Sequence, residues 1–282
     1  MDATATSPAV PIADSRAEAQ RRRLRLRLGG GMGGSVALLF VFLAGWEWGP
    51  GLFGIPPFII PPASMVWDEF LRMLVVDKLM YHSAITGAEV MVGFVLGALL
   101  GMLVGYALGM SPTAEFMLSP YILALQIAPK VAFAPLFVMW FGYTVYPKVL
   151  VAVLIVFFPV MVNVLGALRT VDPDLINLAR AFTANRRQVF WRIEFPASMP
   201  PLFSGLRIGS TLAVIGIVVG ELVGGNTGLG YLLVFGEGQA NTPMVFVTII
   251  MLTLIGIIAY VAVIALERWV LHYLPKRSLE TF

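Results

Sequence analysis

The sequence predicts an all-α polytopic membrane protein: six transmembrane helices, with a pair of short helices between the fourth and fifth. Three observations carry this. Of 282 residues, 59% are hydrophobic and only 12% charged, and the mean hydropathy is +0.87, so polar groups are too few to solvate a soluble surface. The apolar runs reach the ~20 residues that a helix needs to cross ~30 Å of hydrocarbon. They also lack the alternation of barrel strands, and in lipid only helices or closed barrels satisfy their own backbone.

The spans are expected at about Ser35 to Gly54, Ala84 to Gly109, Met117 to Trp140, Val149 to Leu168, Leu202 to Val223 and Met244 to Leu271. An even count puts both termini on one side, and lysine and arginine mark that side as cytoplasmic. Arg16, Arg21, Arg22, Arg23, Arg25 and Arg27 precede the first span. Arg169, Arg180, Arg186, Arg187 and Arg192 surround the short helices, and Lys276 and Arg277 follow the last span. Between spans one and two, on the opposite side, stand only Arg72 and Lys78. The chain divides into a basic tail over 1–34, with 1–20 read as mobile, a six-helix domain over 35–271 and a short tail over 272–282. The first span is about twenty residues long and ends in Trp46 and Trp48, which suits a retained signal-anchor better than a cleaved signal peptide. A net charge of +3 is topological bias and gives no case for nucleic acid. The chain has no cysteine, so disulfides and cysteine-ligated metals are excluded.

Within the spans, Gly93, Gly97, Gly101, Gly105 and Gly109 recur every four residues, a smooth ridge for close helix packing inside the subunit or across a dimer seam, with pore lining as the other reading. Span three carries Pro120, Pro129 and Pro135, each removing a backbone donor, so it is expected to be kinked or broken. Gln126 and Lys130 lie in it, and span four repeats the theme with Pro159 and Asn163. Lys130 is read as the one lysine or arginine well inside a span, and two accounts of it stay open. In one it forms a structural ion pair with Glu89 or Glu221; in the other it makes, with Gln126, Asn163 and Glu221, a polar constriction on a solute path.

The stretch DPDLINLARAFTANRRQVFWRIEFP (Asp172 to Pro196) interrupts the apolar pattern. Asp172 is an N-cap followed by Pro173 at the first helical position, predicting a helix to about Phe182. Asn185 with Gln188 makes a capping box, predicting a second helix to about Glu194, where Pro196 is expected to stop it. Leu175, Leu178, Ala179 and Phe182 share one face, and Val189, Phe190 and Ile193 another. Periodicity alone leaves docking to another protein and lying on lipid headgroups equally open; a DNA-reading helix-turn-helix is disfavoured by membrane spans a few residues away on either side.

The order of residues here resembles the EAA loop of the membrane subunits of bacterial ABC importers, in which Glu-Ala-Ala is followed after three residues by Gly and after nine more by Ile-x-Leu-Pro. Asn177, Leu178 and Ala179 occupy the triplet, Thr183 the glycine place, and Ile193 to Pro196 the end. Asn177, Leu178, Thr183 and Phe195 depart from the pattern. Because a β-branched residue resists positive φ, the interhelix turn is expected to differ from the family's. IAPKVAFAPLFVMWFG (Ile127 to Gly142), FFPVMVN (Phe157 to Asn163) and ELVGGNTGLGYLL (Glu221 to Leu233) extend the likeness from about Pro62 to Glu267, toward the nitrate, sulfonate and taurine branch.

The resemblance implies a permease subunit with two permease chains, expected as a homodimer, two separate ABC ATPases and a periplasmic or lipid-anchored solute-binding protein, in the bacterial inner membrane. It implies that Asn177, Leu178, Ala179, Phe182, Thr183, Arg186, Arg187 and Pro196 couple to the ATPase. It also implies that Gly224 to Gln239 forms a re-entrant segment at the outer mouth, with Thr242 capping and Pro243 opening the last span. ATP and Mg would belong to the partner ATPase, and this chain would bind no cofactor. Consistent with that division, no Gly-Lys dipeptide occurs, so there is no P-loop. GGNTGLG (Gly224 to Gly230) follows a membrane helix rather than a strand and reads as a tight turn. No His-rich or carboxylate-rich cluster suggests a metal site; His82 and His272 stand at opposite ends. An ion-coupled secondary transporter, or a purely structural membrane subunit, are the rival readings.

Overall fold

The structure is a computed structural model that describes residues 33–272; the arginines of the N-terminal tail and Lys276 and Arg277 lie outside the described residues. All regular elements among them are helical. The described residues up to Met65 and those from Val66 onward form separate compact units. In the first, α1 (Gly33–Leu52) is an apolar helix long enough to cross a membrane. At its end Glu47 accepts hydrogen bonds from the Ser64 amide at 2.8 Å and hydroxyl at 2.7 Å, and the Trp46 indole donates to the Pro61 carbonyl.

The second unit is built from most of α2 (Ala63–Val75) and from α3 (Leu79–Gly109), α4 (Pro112–Ile127), α5 (Ala134–Phe141), α6 (Val145–Arg169), α7 (Pro173–Ala181), α8 (Arg186–Val189), α9 (Phe195–Gly224), α10 (Leu229–Gly238) and α11 (Thr242–Val270). Counting α1, five helices are long and apolar enough to span a membrane, and the α4–α5 pair makes a sixth span bent by 78° at its break. The break falls where Pro129 interrupts the run, so α4 ends at Ile127 and a short 3₁₀ turn (Lys130–Phe133) leads into α5. Pro120 sits inside α4 without ending it.

Helix α6 lies between α3 and α9. The α3 glycines face it: a Cβ on Gly97 would stand 2.8 Å from the Val156 Cβ, one on Gly101 2.7 Å from the Phe157 carbonyl, and one on Gly105 2.9 Å from the Met161 carbonyl. Gly93 meets Ala152 and Gly109 meets Leu168 in the same way. The ridge is therefore used within the chain. From the other side α9 offers a second glycine face, which the sequence reading did not single out. A Cβ on Gly216 would lie 2.5 Å from the Ala152 Cα, and one on Gly220 2.5 Å from the Lys148 Cα. In lipid, apolar side chains gain little by leaving the solvent, so helices associate by close backbone approach and van der Waals packing.

The second short helix does not stop at Pro196. Residues Phe190–Glu194 widen into a π-helical turn, after which Pro196 enters as an early residue of α9. The result is one continuous helix over Arg186–Gly224, 39 residues long. A π turn shifts the hydrogen-bond register by one, which removes the clash a proline ring makes in a regular α-turn. At the far end of the bundle the α11 cap is Asn241, not Thr242: its side chain accepts from the Met244 amide, and its amide donates to Glu69 at 2.8 Å. Glu69 is also bonded to Arg72, which holds its carboxyl below the ordinary range.

Gly101→Leu is expected to force α3 and α6 apart and lower stability by ~1–3 kcal/mol, read as reduced monodisperse yield and melting temperature in detergent. Gly87→Leu, on the same helix with nothing within 4 Å of its added Cβ, should leave both near wild type. Equal effects of the two substitutions would refute the packing role.

Candidate functional site

The loop between α6 and α9 is assembled by its own caps. The Asp172 carboxylate accepts from the Asp174 amide at 2.9 Å. Asn185 and Gln188 close the expected capping box at 2.9 and 2.8 Å. Between them, α7 ends with the Ala184 amide donating to the Ala179 carbonyl and the Thr183 amide to the Arg180 carbonyl, the Schellman pattern. That pattern places a left-handed residue at position 183, and Thr183 has φ 61°. The expectation that threonine would change the turn is thus overturned: the backbone adopts the conformation that favours glycine, and the threonine carries the strain. Its hydroxyl donates to the Phe182 carbonyl at 2.7 Å.

The two apolar faces have different fates. No residue of α7 is buried, and Leu175, Leu178 and Phe182 stand 51%, 56% and 77% exposed. The face of the second helix turns inward instead. Val189 is buried, and Phe190 packs edge-on against Tyr106 of α3, with Phe195 beside both. The Tyr106 hydroxyl is hydrogen-bonded to Ser198 at 2.8 Å. Arg186 donates to the Met110 carbonyl at the end of α3, where a cation also suits the negative end of the helix dipole, and Arg169 is paired with Glu115 at the start of α4. Asn177 and Arg187 are exposed, and Ala179 is half-buried. The loop is therefore anchored to α3 by its second helix and presents the first.

The polar groups inside the spans are arranged differently from the expectation. Lys130 pairs with neither Glu89 nor Glu221. Its ammonium donates to the Gln126 carbonyl at 2.6 Å and the Ala128 carbonyl at 3.4 Å, and it lies 4.8 Å from the centre of the Phe158 ring. It thereby caps the carbonyls left open at the end of the half-helix α4. Gln126 and Lys130 are brought together, whereas no hydrogen bond or ion pair among the described residues joins Lys130 to Asn163 or Glu221. Asn163 donates to the Pro159 carbonyl at 2.8 Å and packs under Gly205 of α9.

Lys130 is also not the one cation within a span. Lys148 and Glu89 form a buried pair at 2.5 Å between α6 and α3, and Arg207 meets Glu267 at 2.7 Å between α9 and α11. Arg207 stood inside the expected fifth span, and an arginine in an apolar run was a legible signal. Lys148 stood one residue before the expected fourth span and read as a loop residue.

Glu221, nearly fully buried in α9, organises the end of the bundle where α10 begins. It accepts from the Thr86 hydroxyl at 2.7 Å and the Gly230 amide at 2.6 Å. Thr86 in turn accepts from the Leu229 amide at 2.8 Å, and His82 accepts from the Gly228 amide at 3.0 Å. Gly228 has φ 107°, and a Cβ there would lie 1.9 Å from a Glu221 oxygen, so only glycine fits. A carboxylate thus holds the amino end of α10 where the helix dipole is positive. Among the described residues no group of three or more His, Asp or Glu side chains is placed to hold a metal ion.

The structure is thus a bundle of apolar helices with one bent span and a loop that presents an exposed apolar helix, the architecture of a polytopic membrane protein. Residues 93–272 match the family described as binding-protein-dependent transport system inner membrane component. The chain belongs to that family, as a permease component of an ABC importer for small solutes whose ATPase is a separate subunit. It is 38% identical over 239 residues to the riboflavin transport system permease protein RibX of Chloroflexus aurantiacus, covering 85% of this chain and 88% of that one. It is 30% identical over 239 residues to the taurine transport system permease protein TauC of Escherichia coli, covering 83% and 87%. Among solved structures, an inward-facing MetNI methionine ABC transporter chain matches with a TM-score of 0.55 at 18% identity, covering 66% of this chain and 95% of that one, which establishes the fold. The multi-pass inner-membrane location follows from the family and the apolar helices.

Two substitutions test the geometry. Thr183→Gly should relieve the left-handed strain, worth ~1 kcal/mol, and slow amide exchange over residues 177–185 by about fivefold; faster exchange would mean that the threonine hydroxyl outweighs the strain. Lys148→Met should leave Glu89 buried and unpaired and cost ~3–5 kcal/mol, lowering folded yield, and the double change Lys148→Met with Glu89→Leu should restore it. Failure of the double change to restore yield would show that the pair is not what Lys148 contributes.

Proposed function

We propose that this chain forms the solute path of an ATP-driven importer, receiving a small organic solute from a periplasmic or lipid-anchored binding protein. Two ABC ATPases, which bind the ATP and Mg, dock on the loop containing Asn177, Leu178, Ala179, Phe182, Thr183, Arg186, Arg187 and Pro196, with both chain termini on the same cytoplasmic side. The observation that carries this reading is the exposed apolar face of α7, mounted on a loop whose second helix runs without interruption into α9. At ~1.5 Å per residue that helix is long enough to cross the bilayer with residues to spare. Closure of the ATPases on α7 displaces a rigid strut whose far end holds Glu221 and, through it, the amino end of α10. The equilibrium between inward- and outward-open states is thereby biased from the cytoplasmic side.

A second copy of the chain completes the path. Helix α4 has no buried residue, and the broken backbone at Pro129 cannot face lipid, because non-helical backbone at membrane depth has to lie against protein or water. Gln126 and Lys130 stand at that break, and we place them on the face shared with the second copy. Asn163 and Glu221 act from behind this face, as packing and anchoring residues. The solute of such a system is a small molecule of the general kind named for the relatives.

Phe182→Asp, and equally Ala179→Asp, should cut ATP-driven uptake at least tenfold and abolish co-purification of the ATPase, because the complex would bury an unpaired charge at a cost of several kcal/mol. Membrane insertion should be unchanged. A Phe182→Asp chain that still co-purifies with the ATPase and imports at the wild-type rate would refute the docking assignment; uptake driven by an ion gradient with no ATPase present would favour a secondary transporter.

A further inference from the structure

Where a membrane helix is broken, its open carbonyls make a place for a cation, and ion-coupled transporters hold the driving ion at such half-helix ends. The break between α4 and α5 has this form. Pro129 supplies no N–H, and the Ala132 amide, which would close on the Ala128 carbonyl in a regular α-helix, donates to the Pro129 carbonyl instead at 2.9 Å. The Gln126 and Ala128 carbonyls both accept from one ammonium, that of Lys130, at 2.6 and 3.4 Å. The same ammonium lies over the Phe158 ring, 4.8 Å from its centre, and that ring is buried in a cluster with Leu108 and Met161.

These partners select what can sit at the break. Carbonyl oxygens and an aromatic face repel an anion. They carry no formal charge, so they do not suit calcium or magnesium, which demand a full shell of oxygens with carboxylates among them. A primary ammonium fits: its N–H groups reach the carbonyls, and its charge faces the ring. Among the described residues Lys130 makes no ion pair, whereas Lys148 and Arg207 lie on carboxylates. The carbonyls and the ring therefore do the holding, and the lysine stem only keeps the ammonium from leaving.

We infer that the α4–α5 break is a binding site for a primary ammonium group, that its resident occupant is the chain's own Lys130, and that this tethered cation keeps a free coupling ion off the break. A free amine takes over the site when the stem is cut. All the contacts come from one chain, so the purified full chain suffices for the test.

Lys130→Ala removes the atoms of n-propylammonium and keeps the rest of the side chain. In detergent this variant is expected to melt about 3 °C below wild type. n-Propylammonium chloride should restore at least half of that loss, saturably, beyond the effect of sodium chloride at equal ionic strength. n-Propanol, of the same shape without the charge, should restore none, and wild type should respond to none of the three. A second route uses the absence of cysteine from the chain. In Lys130→Cys, 2-bromoethylamine regenerates a cation of lysine's length at that position alone, and 2-bromoethanol makes its neutral counterpart; only the first should recover the wild-type melting temperature. A folded Lys130→Ala chain stabilised no more by propylammonium than by sodium chloride overturns the assignment. So does a wild-type chain stabilised by propylammonium as strongly as the variant, or a hydroxyethyl adduct as stable as the aminoethyl one. Should Lys130→Ala aggregate on extraction, folded yield in propylammonium against sodium chloride replaces the melting temperature, and equal yields overturn the assignment.

Discussion

Helix α6 is held between two glycine faces, and the rest of the second unit is positioned by that contact. Surfaces without side chains let backbones come within van der Waals range, and in lipid this close packing replaces the hydrophobic force that assembles soluble proteins. The approach is closest where Gly216 and Gly220 of α9 meet the Cα atoms of Ala152 and Lys148. The same contact delivers the Lys148 side chain to Glu89 on α3, so a buried charge has its counter-ion at 2.5 Å. Had α6 been a few ångströms further from either neighbour, that pair would have been split in a medium where isolated charges are costly.

The strut formed by Arg186–Gly224 joins the two ends of this bundle. Three prolines lie in it, at 196, 200 and 201, yet it stays helical. The π turn at Phe190–Glu194 takes up the first, and Pro200 and Pro201 sit inside α9 without ending it. One end of the strut is stacked through Phe190 and Phe195 on Tyr106; the other presents Glu221 to the backbone of Gly230.

The broken span obeys the same rule of local satisfaction by a different route. Where α4 stops at Pro129, an ammonium supplied one residue later closes the open carbonyls. Lys130, Lys148 and Arg207 are each answered by groups of the same chain.

Much of the architecture could be read from the sequence alone, because it rests on short-range signals. Apolar runs set the spans by length, prolines set the break in span three, and Asp172, Asn185 and Gln188 set the ends of the two short helices through bonds to residues two or three positions away. The four-residue glycine spacing announced a packing face, and the order of residues from Asn177 to Pro196 carried the family resemblance. Which helix that face meets was decided by the tertiary structure, as were the partners of every buried charge. Lys148 and Glu89 are 59 residues apart, Arg207 and Glu267 60, and Thr86 and Glu221 135; no periodicity connects positions so distant. The left-handed turn at Thr183 and the passage of Pro196 into α9 ran against local preference. Both hold because the anchoring of the second helix on Tyr106 and the end of α3 outweighs a local strain of ~1–3 kcal/mol, which sequence propensity alone has no means of weighing.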